Sequence, residues 1–211
     1  YGSYDTDFKH SMAPPMIMVM MFYIAAGLTV AIFIADRKEG FWNRTLLAGV
    51  TTKEMMIAQL IVFIIILAIQ LVEVVTLLLL IFDTGNHGSY FTVALMIALL
   101  GCSGIFFGLW CSCICTEFME ANLLLTGISQ PMIVLSSMLW PHEGMPWYLQ
   151  YVSLCMPSTL PSISVRNIIE KGYSITHPTV LLGFFVLIVW VVMGAFLGFR
   201  TLERKKYSRN S

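Results

Sequence analysis

Five long apolar runs limit what this chain can fold into more than any other feature of its sequence. A helix needs about 20 apolar residues to cross the roughly 30 Å hydrocarbon core of a bilayer. Runs of about this length occupy residues 12–35, 55–82, 91–115, 121–140 and 179–199. Because backbone polar groups in lipid must be satisfied within the segment, we expect helices rather than open strands. The sequence therefore predicts an all-α polytopic membrane helix bundle with five spans.

The overall composition agrees with a membrane protein. Hydrophobic residues make up 58% of the 211 residues and charged residues only 11%, whereas soluble domains are about 45–50% apolar and about 25% charged. The net charge of zero gives no indication of a nucleic-acid partner. We therefore expect a multi-pass membrane protein whose surroundings are membrane lipid.

Lysine and arginine residues in the connections predict how the spans are oriented. An odd number of spans places the two termini on opposite sides, and cytoplasmic loops carry the excess of basic residues. One side collects nine of them: Arg37, Lys38, Arg44, Lys53, Arg200, Arg204, Lys205, Lys206 and Arg209. The other side collects three: Lys9, Arg166 and Lys171. We therefore place the N-terminus outside and the C-terminus in the cytoplasm, so that the Asn43-Arg44-Thr45 sequon is never glycosylated.

The connection after the first run has an unusual pattern. It reads DRKEGFWNRTLLAGVTTKEM, residues 36–55, and apolar residues recur in it at helical spacing. This spacing predicts a short amphipathic helix at about 36–50 on the inner interface. Thr51 and Glu54 match a capping box that would begin the next span. The pattern fits either an interfacial linker or a docking element for a cytoplasmic partner, and it leaves both open.

A second connection, residues 141–178, is long but not very polar. It contains Trp147, Tyr148 and Tyr151 together with four prolines. Trp and Tyr collect at the headgroup level of membranes, and exposed irregular backbone does not occur in the hydrocarbon region. We therefore expect an outer re-entrant segment, with short helices that enter the outer leaflet or cap the bundle.

These two connections resemble the membrane domain of type-2, ABC-G-like ABC transporters. The first match is DRKEGFWNRTLLAGVTTKEMMIAQL, in which Asp36 stands for the usual Glu and Phe41 for the usual Thr. The second is LWPHEGMPWYLQYVSLCMPSTLPSISVRNIIEKG, residues 139–172. Its matching positions are Pro141, Met145, Pro146, Leu149, Pro157, Thr159, Arg166, Lys171 and Gly172. The chain is similar in this respect to animal half-transporters that move lipids or other apolar molecules outward.

The resemblance implies a partner that supplies ATP hydrolysis. It implies six spans in each of two halves, as a homo- or heterodimer in the plasma membrane, so the first span would precede Tyr1. It also implies that the 36–50 helix and the short 116–120 turn contact a nucleotide-binding domain. The residues expected at that contact are Arg37, Lys38, Glu39, Trp42, Arg44, Leu46, Glu117 and Glu120.

The sequence contains no motif for catalysis of its own. It has no Gly-x-x-x-x-Gly-Lys-Ser/Thr phosphate loop and no Leu-Ser-Gly-Gly signature. We therefore expect no catalytic site, metal or cofactor in this chain. ATP and magnesium would bind to the nucleotide-binding domain, in the same full-length chain or in a separate subunit, and ATPase activity would belong only to the whole transporter.

Polar residues within the spans are candidates for a substrate path. Glu73 lies in the second run, where an ionisable residue costs about 2.5–3.5 kcal/mol and normally faces protein or water. The fourth run carries a polar face: Asn122, Thr126, Ser129, Gln130 and Ser136. Both features could instead be structural, with Glu73 packed against a polar partner such as Gln130, and the hydroxyls joining neighbouring helices.

Two other classes of protein fit the same five spans. A channel or secondary transporter subunit would work without an ATPase, but it should show inverted repeats or more charge within the membrane. A structural membrane subunit would lack a polar face turned towards a cavity. We therefore expect the permease part of an exporter and keep these two as alternatives.

Overall fold

The regular elements of the described chain are all helices. The computed structural model describes residues 8–81, 88–136 and 146–208. In chain order the helices of these ranges are α1 (Phe8–Lys38), α2 (Phe41–Leu47), α3 (Thr52–Ile81), α4 (Tyr90–Ile114), α5 (Phe118–Leu135), α6 (Trp147–Leu154), α7 (Thr159–Lys171) and α8 (Pro178–Ser208). Five of them, α1, α3, α4, α5 and α8, are long and apolar enough to cross a membrane. The predicted all-α bundle with five spans is confirmed.

Helix α4 lies at the centre of the bundle, between α1 and α8. Its glycines let α1 approach very closely. A Cβ atom added at Gly104 would lie 2.6 Å from the carbonyl oxygen of Phe22, and one added at Gly108 would lie 2.4 Å from that of Ala26. Because helices in lipid associate through packing rather than through the hydrophobic effect, small residues at such a contact favour association. The two glycines therefore fix the distance between α1 and α4.

Helix α3 is a peripheral span. Only 11% of its most apolar window is buried, compared with 56% for α1 and for α4. It meets the bundle along one face, where the Phe63 ring stacks on Phe33 with centroids 5.6 Å apart and Leu67 packs against the core. The rest of α3 is not covered by other described parts of the chain.

Two glycines bound α2. Helix α1 continues through Lys38, so residues 36–38 form its last turn, and α2 itself is only seven residues long. Gly40 and Gly49 have φ angles of 68° and 88°, a left-handed conformation that glycine adopts without steric cost. The chain therefore changes direction at both ends of α2.

The capping box predicted at the start of α3 is confirmed. The Thr51 N–H donates to the Glu54 carboxylate at 2.8 Å, and the Glu54 N–H donates to Thr51 Oγ1 at 3.4 Å. The Thr51 hydroxyl also donates to the Glu54 carboxylate at 2.8 Å, and together with the Thr51 N–H it holds the pKa of that carboxyl below its usual value. The contribution of the ionised carboxylate to the cap is therefore present above the pKa of the unfolded chain, and it is lost as the pH falls through the lowered value.

The end of α6 and helix α7, in the described part of the 141–178 segment, lie beside the first half of α8. Trp190 Nε1 donates to the carbonyl oxygen of Cys155, just after α6, at 3.0 Å, and Trp190 lies about 18 Å along α8 from its start at 1.5 Å per residue. Ser164 Oγ of α7 donates to the carbonyl oxygen of Thr179 at 3.0 Å, near that start. The turn between α6 and α7 therefore lies about halfway down α8. Residues 137–145, which include the expected end of the fourth span, lie outside the described residues.

We predict that Gly104→Ala and Gly108→Ala each destabilise the protein by about 1–3 kcal/mol, because the new methyl group would meet a backbone carbonyl of α1 that cannot move aside alone. Thermal unfolding of the purified protein in detergent measures this loss. Gly127→Ala is the matched control, since nothing lies within 4 Å of its added Cβ and alanine is the better helix former. Equal stability of all three variants would contradict the close α1–α4 contact.

Candidate functional site

Arg37 closes the last turn of α4. Its guanidinium donates to the carbonyl oxygens of Ser112, from Nη2 at 2.9 Å, and of Cys115, from Nη1 at 3.1 Å. The final carbonyls of a helix lack partners within the helix and carry partial negative charge. A cation with two parallel donors satisfies both of these needs. Arg37 therefore ties the end of α1 to the end of α4.

Charged side chains next to Arg37 stabilise the turn between α4 and α5. The Lys38 ammonium pairs with the carboxylate of Glu117, the residue before α5. Both side chains are about half exposed, so the pair contributes about 0–1 kcal/mol. The Glu120 carboxylate accepts a hydrogen bond from the Thr116 N–H at 3.4 Å. The ends of α1, α4 and α5 thus meet in one polar cluster at the end of the bundle that carries α2, which we call the α2 end.

The residues expected to contact an ATPase domain fall into three groups. Four of them bond within the chain: Arg37, Lys38, Glu117 and Glu120. Glu39 and Arg44 are exposed. The side chains of Trp42 and Leu46 lie outside the part of the chain that the structure describes. The inward contacts of Arg37 were missed by the sequence reasoning, because the carbonyls that it binds are backbone atoms far along the chain.

Helix α2 presents an uncovered face. Its extensive contacts are with α1, to which it is joined. Phe41 is exposed at its start, and Leu47 at its end is 88% exposed. Arg44 lies between them at three-residue spacing, so all three side chains share one side of the helix. The sequence reasoning did not select Phe41 or Leu47 as contact residues, although both are apolar and lie on the predicted amphipathic helix.

The polar residues of α5 separate into two sets. The hydroxyl groups of Ser129 and Ser136 are buried and donate to carbonyl oxygens of their own helix. Ser162 Oγ of α7 approaches the Ser136 carbonyl oxygen at 3.4 Å, so this set joins helices. Gln130 is exposed, and Asn122 and Thr126 are half-buried.

The second set borders an uncovered stripe of α5. Leu123, Gly127, Gln130 and Val134 are all exposed and recur at helical spacing. Beside them, the hydroxyls of Tyr23 and Thr126 lie 3.3 Å apart and link α1 to α5. A stripe that combines apolar side chains with one amide suits either a helix of another subunit or a cavity that binds apolar molecules.

Glu73 and Gln130 are not brought together. Glu73 is exposed on α3 and Gln130 on α5, and these two helices do not pack extensively against each other. Gln70, one turn before Glu73, is buried, and neither of its amide atoms has a hydrogen-bond partner among the described residues. Among those residues there is also no group of three or more His, Cys, Asp or Glu side chains that could hold a metal ion.

Comparison with known proteins agrees with this architecture. The family model described as ABC-2 family transporter protein matches residues 2–197. ABC transporter G family member 20 of Dictyostelium discoideum is 25% identical over 206 residues, 97% of this chain and 28% of that protein. ABC transporter G family member 23 of the same organism is 20% identical over 192 residues, 91% of this chain and 27% of that protein. The chain spans less than a third of the length of these relatives. Because the family model covers nearly the whole chain, this protein belongs to the ABC-2 family of transporters, as a multi-pass membrane domain.

Proposed function

We propose that the chain is the membrane permease of an ATP-driven exporter, coupled to a nucleotide-binding domain through α2. The observation that carries this proposal is the geometry of α2, which exposes two apolar side chains and an arginine while its connection to α1 is tied into the bundle. The similarity to ABC transporter G family members supports it. ATP and magnesium would bind to the nucleotide-binding domain, in the same full-length chain or in a separate subunit.

The exposed face of α2 defines the chemistry of the docking partner. Phe41 and Leu47 would enter an apolar recess of the nucleotide-binding domain, since each gains about 1.5–3 kcal/mol from full burial. Arg44, between them, would meet an acidic side chain, and Glu39 would lie at the rim.

The cargo path would follow the exposed stripe of α5. A second transmembrane half placed against Leu123, Gln130 and Val134 would enclose a cavity lined by apolar side chains and one amide. Such a lining fits lipids or other apolar molecules, because few polar groups are needed to orient an apolar ligand. Asn122 and Thr126 would border this cavity, whereas Ser129 and Ser136 would stabilise the helices behind it. Glu73, which is exposed on α3, would lie at the edge of the cargo path.

The orientation follows from the basic residues. Nine lysines and arginines on one side against three on the other support a cytoplasmic position for the α2 end, where ATP is available. The connection between α7 and α8 would then face the outside of the cell, as expected for an exporter in the plasma membrane.

We predict that cysteine labelling reports this orientation. In a full-length protein whose cysteines, including the five of this chain, are all replaced, Ser174→Cys should react with a membrane-impermeant maleimide on intact cells. Ala48→Cys should react only after permeabilisation, and both positions are exposed in the structure. Asn43 should carry no glycan. The reverse labelling pattern would contradict the proposed orientation.

Loss of one apolar contact should weaken docking. Leu47→Ala touches no packed core, so we expect normal expression but about tenfold weaker association with the nucleotide-binding domain. Cross-linking yield and ATP-driven transport in proteoliposomes measure this effect. The matched control is Leu80→Ala on α3, a leucine that is 73% exposed and would face lipid. Equal transport by the two variants would show that α2 does not dock.

Gln130→Leu should change transport, because it removes the exposed amide of the proposed cavity. We expect outward movement of a fluorescent phospholipid to fall at least about fivefold, the loss of a hydrogen bond of about 1 kcal/mol. Ser129→Ala, one residue away but buried against its own helix, should change transport much less. If the serine variant loses transport and the glutamine variant does not, the assignment of the α5 stripe is wrong.

A further inference from the structure

The contacts of α2 with the bundle are concentrated at one place. Helix α2 packs mainly on α1, and Gly40 between them has nothing within 4 Å of where its Cβ would be. A force applied to α2 therefore passes along the chain to α3 through residues 48–51, and to α1 through its last turn. In that turn Arg37 and Lys38 hold α4 and the start of α5.

The end of α4 depends on Arg37 for its hydrogen bonds. In a continuing helix the Ser112 carbonyl would accept from the Thr116 N–H. Helix α4 ends before that bond forms, and the Thr116 N–H donates to the Glu120 carboxylate instead. The Ser112 and Cys115 carbonyl oxygens instead accept hydrogen bonds from the Arg37 guanidinium. Only the planar fork of an arginine presents two fixed donors to two acceptors; a lysine ammonium is a point charge.

We infer that Arg37 and Lys38 are positioning residues that join α1, α4 and α5 into one moving unit. This inference rests on the proposed function and adds the route by which a nucleotide-driven movement of α2 would reach the spans. Arg37 acts through the end of α4, and Lys38 acts through Glu117 at the start of α5. We call this cluster, formed by Arg37, Lys38, Ser112, Cys115 and Glu117, the three-helix staple.

The staple suits this role because of what α4 contacts elsewhere. Helix α4 packs against α1 through Gly104 and Gly108 and against α8 along the length of the bundle. A displacement of its end is therefore passed to both neighbours rather than absorbed by a loop. Without the staple, the last turn of α1, which lies beyond the glycine contacts, could move apart from the ends of α4 and α5, and ATP would be hydrolysed without moving the cargo path.

The test compares transport with ATP hydrolysis in the full-length transporter in proteoliposomes. We expect Arg37→Gln to keep nucleotide hydrolysis while transport per ATP falls about fivefold or more, the scale of coupling between distant sites. Arg37→Lys should lower the ratio less, because one of the two carbonyls keeps a cationic donor. The control is Arg200→Gln, whose guanidinium lies over the Phe196 ring of its own helix, 5.4 Å away, and which should leave the ratio unchanged.

Exchange of the two charges tests the second contact. Lys38→Glu should lower transport per ATP, and adding Glu117→Lys should restore it, because the double variant rebuilds the pair with opposite polarity. Recovery would show that coupling depends on the pairing of these two charges rather than on either side chain alone. Failure of the double variant to recover any coupling, at normal expression, would remove Lys38 from the proposal.

Hydrogen exchange separates a failure of the staple from a failure of the proposed function. In Arg37→Gln, the amides of residues 115–117 should exchange faster with solvent than in the wild type, with or without ATP. Wild-type protein without ATP-driven transport would overturn the proposed function, and the coupling role of the staple with it. Normal wild-type transport together with an unchanged ratio in Arg37→Gln would overturn the coupling role alone.

Discussion

The close approach of α1 and α4 is the contact on which the rest of the structure depends. At Gly104 and Gly108 no side chain separates the two backbones, so the helices cannot slide or rotate without meeting carbonyl oxygens. This fixed register places the end of α1 beside the end of α4. There Arg37 donates hydrogen bonds to two carbonyl oxygens that lack a partner within their own helix. A bulkier residue at either glycine would change the position of Arg37 as well as the packing.

Most polar groups of the described spans are satisfied within the protein, as lipid requires. The serines of α4 and α5 donate to carbonyls of their own helices, and Arg37 satisfies the end of α4. The groups left without such partners are therefore informative. On the described surface they include Arg44 between two exposed apolar side chains of α2, and Gln130 on the exposed stripe of α5. These two places support the proposed docking site and cargo path.

The sequence predicted the elements better than their contacts. Apolar length identified the five spans, and the Thr51–Glu54 spacing identified the start of α3, because both signals are local. The inward turn of Arg37 was not predictable, since it depends on the register of α1 against α4. The division of α5 into buried Ser129 and exposed Gln130 likewise depends on which neighbour covers each side. For the 141–178 segment, aromatic composition predicted a place at the membrane interface, whereas its position along α8 follows from the bond between Trp190 and the Cys155 carbonyl.

The structure also bears on whether the 36–50 stretch is a linker or a docking element. A linker needs length and solubility, and neither requires its anchor to be bonded to two other spans. Here residues 36–38 belong to α1, and the chain turns at the glycines 40 and 49. The short helix α2 lies between two glycine turns, and the turn of α1 before it contacts both α4 and α5. This arrangement suits a helix that passes a movement to the spans better than it suits a flexible connection. The mechanical argument and the exposed apolar face of α2 therefore favour docking independently of each other.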